Sequence, residues 1–202
     1  MPAVATQPVT YGQEASWARF SVARYRKMIE TGILDTNDKV ELLEEYVVLK
    51  MPKNPPHDGT ITMVQRVLHR IVPSDWVIRT QLSLELPDSQ PEPVFLIARG
   101  DVREYFQRHP SARDLGIVME VANTSLMRDT KDKARIYARA GVPVYWVIDV
   151  TNRKIMLHSQ PSGPSDAPAY ADVRTIQPPD VVPFVLDGVT VATIPAADLL
   201  PK

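Results

Sequence analysis

The 202-residue chain contains no cysteine. That excludes a disulfide framework, thiolate zinc sites and a cysteine nucleophile, and it agrees with a reducing compartment. No apolar run approaches the roughly 18 residues that a membrane-spanning helix needs. The first residues, MPAVATQPVTYGQ, lack the charged and apolar regions of a signal peptide, so a soluble cytoplasmic protein is expected. There is no internal repeat, no P-loop and no glycine fingerprint for a dinucleotide. A net charge of -1 argues against a generally basic nucleic-acid binder, while leaving room for a local basic patch.

What is present fits one domain with a substantial core. Residues 1–20 read as a flexible N-terminal arm, of which 1–16 have no periodicity, and residues 21–202 as a single domain. Ser21 caps a helix whose apolar residues Val22, Tyr25, Met28 and Ile29 share a face, with Gly32 at its end. Two short apolar runs, 40–43 and 47–49, flank Glu44 and Glu45 and read as a hairpin. Such a turn ordinarily wants glycine or asparagine at positive φ, so glutamate there costs on the order of 1 kcal/mol in strain. A second helix follows Pro55-Pro56-His57-Asp58, with Asp58 as its cap and Ile61, Val64, Leu68 and Ile71 inward.

Residues 76–86 alternate as a strand with one buried face. The runs 94–98, 115–121 and 143–150 are apolar throughout, as strands covered on both faces are. Between the last two lies a helix over 129–140, with Ala134, Ile136, Tyr137 and Ala140 at helical spacing and Gly141 as its stop. Strand, helix and strand with short links form a right-handed crossover between parallel strands. A turn at 151–153 leads into a strand at 154–158, residues 160–169 form a loop, and short strands surround Asp187-Gly188. The fold class is α/β (α+β): a mixed sheet flanked by helices.

Glu120 stands at the end of the strand 115–121, and Lys131 and Lys133 stand on the helix that follows. An acid beside a base at a sheet edge is a common way to hold a metal and a water for hydrolysis. The second carboxylate this needs belongs on a neighbouring strand, and the strand 94–98 offers only Val94. Lys131 reads as part of a solvated helix face, Tyr145 and Trp146 as core, and Arg99, Arg103 and Arg108 as a solvated face rather than phosphate contacts.

The runs VMEVANTSLMRDTKDKARIYARAGVPVYWVIDV, VELLEEYVVLKMPKNPPHD and PEPVFLIARGDVREY resemble the restriction-endonuclease family often called Uma-two, a branch of the PD-(D/E)xK nuclease superfamily. The resemblance covers roughly residues 38–200. It implies a restriction-endonuclease-like fold and metal-dependent hydrolysis of DNA phosphodiesters, using Mg²⁺ or Mn²⁺. By resemblance Glu120 is the acidic residue of the (D/E)xK half-motif and a metal ligand. Ala122 stands where the superfamily usually has its lysine, and the family's lysine, drawn from the following helix, falls on Lys133. Glu41 matches the carboxylate of the family's hairpin and His57 the histidine opening its second helix. Asp129 matches an acid at the helix start, with an N-cap as its plainer role.

Three positions depart from the family pattern. Its PD aspartate falls on Val94, its hairpin glycine on Glu45, and its glutamate before the Tyr-Trp pair on Val144. Losing one metal carboxylate implies weaker binding and a rate lower by several orders of magnitude. Glu92 is the candidate replacement ligand, because residues i and i−2 share a strand face, although it lies about 6.5 Å back along the strand. The alternative reading is a non-catalytic nuclease fold acting as a DNA-binding or subunit-interaction module. A third is an acid–base hydrolase of a small substrate using Glu120 and His57. Analogy with nucleases of this fold implies a homodimer.

Overall fold

The computed structural model describes residues 17–202. Its centre is a six-stranded sheet in the order β3 (Trp76–Thr80), β4 (Phe95–Arg99), β5 (Leu115–Ala122), β6 (Val144–Asp149), β7 (Lys154–Pro161), β8 (Tyr170–Ile176). All neighbours are antiparallel except β5 and β6, where Glu120 lies opposite Val147. Two hairpins stand apart from this sheet: β1 (Val40–Leu43) with β2 (Tyr46–Leu49), and β9 (Val181–Leu186) with β10 (Val189–Pro195).

The period-2 alternation of strands divides the apolar residues between the two faces. Phe95, Ile97, Ile117, Met119 and Val121 join Trp146 and Ile148 against α2 (Pro55–Ile71) and the β9–β10 hairpin. Leu96, Ala98, Val118, Ala122, Tyr145 and Val147 face α3 (Ala134–Ala140). Glu120 has the parity of Val118 and Ala122, so its carboxylate is delivered to the α3 side.

The crossover between β5 and β6 matches the sequence expectation, with one local difference. The expected helix over 129–140 opens as a π-helical stretch, Arg128–Lys133, and becomes α-helical only at α3. Gly141, at φ 77°, then stops the helix in the left-handed region, where a residue without Cβ has no penalty.

Three other expectations are corrected. The strand expected over 76–86 ends at Thr80. Leu84 and Leu86 are buried from an irregular segment, where their amides bond to the Pro91 and Ser89 carbonyls. The cap of α2 is Asn54 rather than Asp58: its side-chain oxygen accepts from the His57 amide at 3.2 Å. The two prolines therefore lie inside the first turn, where a missing N–H is harmless. Residues 91–94 lead into β4 without being part of it, so Glu92 and Val94 do not share a regular strand face.

Helix α1 (Val22–Glu30) is capped by Ser21 as expected, yet Tyr25 is its one buried residue, while Ile29 is exposed. Of the expected arm over 1–20, residues 1–16 lie outside the described residues. Phe20 is tied by its amide to the Glu45 carbonyl.

Candidate hydrolytic site

The hairpin, the sheet and the crossover helix meet at one buried cluster. The β1–β2 turn places both Glu44 and Glu45 at positive φ, 50° and 69°, the strained arrangement expected from the sequence. Its tether explains how it persists. The Glu44 carboxylate accepts from Arg135 Nη1 at 2.8 Å, Arg135 Nη2 at 2.6 Å and Arg139 Nη1 at 2.7 Å. Its amide donates to Ser89 Oγ at 2.9 Å. Paired arginine–carboxylate bonds of this kind are among the stronger polar contacts, and they dock the hairpin onto α3.

Docking carries Glu41, in β1, to the last residue of the π-helical stretch. Lys133 Nζ lies 3.2 Å from Glu41 Oε1 and donates to Glu120 Oε1 at 2.9 Å. Tyr137, one turn further on, donates its hydroxyl to the same Glu120 oxygen at 3.3 Å, and the Val94 amide donates to Glu120 Oε2 at 3.3 Å. Glu41 Oε2 accepts from the Glu92 amide at 3.1 Å. Asp129, one turn before Lys133, is buried and accepts from Ser125 Oγ at 2.5 Å. Asp129 is therefore not an N-cap; its carboxylate belongs to the cluster's surroundings.

Burial dominates the electrostatics. It pushes the Glu120 carboxyl up to about 7, against the pull of the Lys133 charge, and the charges of Asp129 and Glu41 add to the rise. Burial likewise raises Asp129. Burial alone would lower the Lys133 ammonium, but Glu120, Glu41 and Asp129 outweigh it and hold it above the ordinary lysine value. Burial, then the Glu120 charge, raises Tyr137 well above the tyrosine range, so its hydroxyl stays a donor. One buried cation thus faces three buried acids.

The cluster lines a cavity of about 1050 Å³, which His57, Glu92 and Val94 also border. His57 contributes from the start of α2, and its ring nitrogen Nδ1 lies 3.2 Å from Asp58 Oδ1 rather than on the carboxylate cluster. The Glu92 carboxylate is held by Lys50 Nζ at 2.5 Å. Val94 is buried and touches both the apolar cluster that includes α2 residues and the cavity that Glu120 lines. Lys131 is exposed and Tyr145 and Trp146 are buried, as expected. Arg99 and Arg108 are paired with Asp187 and Asp114. Sequence reasoning missed the part played by Tyr137. Asp129, Lys133 and Tyr137 recur at four-residue spacing, the signal of one helix face.

A divalent metal, implied by the family resemblance, finds hard oxygen donors here in Glu120 and Glu41, the donor type suited to Mg²⁺ or Mn²⁺. Among the described residues, however, no group of three or more histidine, aspartate or glutamate side chains is arranged to hold a metal ion. Two carboxylates fit a cation that keeps most of its water; they do not form a complete protein cage.

No curated protein matches the sequence. Among solved structures, the fold is similar to a crystal structure described as "a putative nuclease belonging to DUF820" from Anabaena variabilis. The TM-score is 0.70 at 14% identity, covering 89% of this chain and 97% of that one. At that identity the likeness establishes the fold. Among the described residues no helix is long and apolar enough to cross a membrane. The family model Uma2, described as "Putative restriction endonuclease", matches residues 22–192, and on that span the chain belongs to the Uma2 family.

Proposed function

We propose that the chain is a metal-dependent DNA endonuclease whose rate is limited by valine at position 94. The observation that carries this reading is Lys133, buried between Glu41 and Glu120 at the floor of a cavity. An ammonium beside two carboxylates, almost wholly removed from water, is costly to build for stability alone.

A bound Mg²⁺ or Mn²⁺, held by Glu120 and Glu41, would supply polarisation of a phosphoryl oxygen and a lowered pKa for a bound water. The chain's own groups do the rest. Lys133 presents positive charge to a phosphodiester undergoing attack, in a low-dielectric setting where that charge is worth far more than in water. Tyr137 and the Val94 amide fix the two oxygens of Glu120, so the carboxylate needs no reorganisation. His57 lines the cavity where it can meet substrate, and Glu92 is a further carboxylate of the lining. A homodimer is proposed by analogy alone.

Val94 favours a second reading, in which the chain binds DNA or a partner subunit without cutting. Its side chain belongs to the apolar core, so no carboxylate stands there. Nicking of supercoiled plasmid by the purified protein separates the two. The nuclease reading expects slow cleavage in Mn²⁺ or Mg²⁺ that disappears in Glu120→Gln and with chelator. Binding without any cleavage supports the module instead.

A further inference from the structure

The reacting groups of this cluster do not lie on an open face. Side-chain exposure is 7% for Lys133, 6% for Glu120 and 3% for Glu41. The irregular segment 50–54, between β2 and α2, walls the cavity. It is tied to both sides of the sheet end. Lys50 Nζ donates to Glu92 Oε2 at 2.5 Å, and Lys53 Nζ donates to Gln81 Oε1 at 2.6 Å. Asn54 Oδ1 accepts from Asn123 Nδ2 at 2.8 Å, and just before the segment Leu49 O accepts from Arg128 Nη1 at 2.7 Å.

A sphere of the cavity's volume is ~13 Å across, about the width of one major groove and far too narrow for a whole duplex. Protein groups meet duplex DNA at its grooves and its backbone, and groups this recessed meet a regular duplex poorly. The volume lies near the upper end of small-ligand pockets, which run to roughly 1,000 Å³, and it suits one or two nucleotides. Its lining combines cations and apolar surface, two of the contacts that bind a single strand, alongside the acids Asp35, Glu41, Glu92, Glu120 and Asp129. Lys53 and Arg128 supply positive charge for phosphates, while Ile29, 45% exposed, and Met51, 41% exposed, offer apolar surface to an unstacked base.

We infer that the substrate enters as single-stranded DNA, or as a nucleotide drawn out of a duplex, threaded past Lys53 and Arg128 to the floor of this cavity. This rests on the nuclease reading and adds to it the form of DNA that can react. Duplex DNA reaches Lys133 only where strands are unpaired or a nucleotide is extruded, at the cost of unstacking.

Fluorescence anisotropy at low salt tests the inference with two probes: a short labelled single strand of mixed sequence, and the same strand annealed to its complement. The single strand should bind at least ~10-fold more tightly. Lys53→Glu should weaken it by about 10-fold or more, as loss of a charged phosphate contact does. Thermal unfolding of Lys53→Glu should stay close to the wild type, since the Lys53–Gln81 bond it removes is solvent-exposed. Duplex binding as tight as, or tighter than, single-strand binding overturns the single-strand inference and leaves the nuclease reading standing. Single-strand binding indifferent to Lys53→Glu also overturns it, because the strand would then lie elsewhere. Neither binding nor cleavage of either probe, with Mn²⁺ present, overturns both.

Discussion

The Lys133 ammonium lies 3.2 Å from Glu41 Oε1 and 2.9 Å from Glu120 Oε1, joining a hairpin to the central sheet through one helix residue. All three side chains are almost completely enclosed. Removing the shared cation leaves two acids buried without their counter-charge. Lys133→Met should lower unfolding free energy by about 3–5 kcal/mol. Adding Glu120→Gln should restore part of that loss. Urea denaturation measures both, and a double variant no more stable than the single one would contradict the coupling.

Stability should also depend on Glu120 ionisation. Its folded pKa, about 7, lies above the ordinary carboxyl value of 4.5. Between those values the folded protein holds more protons than the unfolded chain, so this group's contribution falls as pH rises. It is fully favourable below about pH 4.5 and lost once the pH passes about 7. Glu120→Gln should therefore flatten the fall in stability across that window. An unchanged slope would show that Glu120 does not titrate there.

The hairpin turn separates strain from tethering. Glu45→Gly should stabilise by up to about 1 kcal/mol, because glycine adopts φ 69° without the Cβ penalty. Its ion pair with Arg19, 3.5 Å and exposed, adds little that would be lost. Glu44→Gly relieves the same kind of strain but removes the bonds to Arg135 and Arg139, and should be neutral or destabilising. Thermal unfolding that finds the two substitutions alike would argue that the arginine tether contributes nothing.

At the start of α2, Asn54→Ala should cost about 1 kcal/mol, the usual worth of an N-cap, and further loosen the bond to Asn123. Asp58→Ala should cost only a few tenths, the worth of a first-turn charge. The reverse order would restore Asp58 as the cap.

These positions show where the sequence is informative. The β5–α3–β6 crossover is legible because its strands are uniformly apolar and Gly141 marks the helix stop. The meeting of Glu120, Lys133 and Glu41 is legible only through the family resemblance, since composition and spacing place Glu41 on no particular neighbour. The cap of α2 is misread because Pro55 and Pro56 look like an approach to a helix when they form its first turn. The strand at 76–86 is overextended because leucines at 82, 84 and 86 alternate. Leu84 and Leu86 are indeed buried, but in a looped segment whose amides bond back to residues 89 and 91. Periodicity records burial there and says nothing of strand pairing. Tyr137 is hidden for a simpler reason: a buried tyrosine in an apolar helix reads as packing until its hydroxyl's partner is known.

The most direct test of the central claim is single-turnover DNA cleavage in Mn²⁺ by the wild type and Val94→Asp. If the Glu41–Glu120–Lys133 cluster is a nuclease site short of one carboxylate, the wild type should cut slowly. Val94→Asp should then cut faster by ~10² or more, as restoration of a missing electrostatic group does. Cleavage by Val94→Asp alone, with none by the wild type, would contradict the claim and leave this chain a nuclease fold that does not cut.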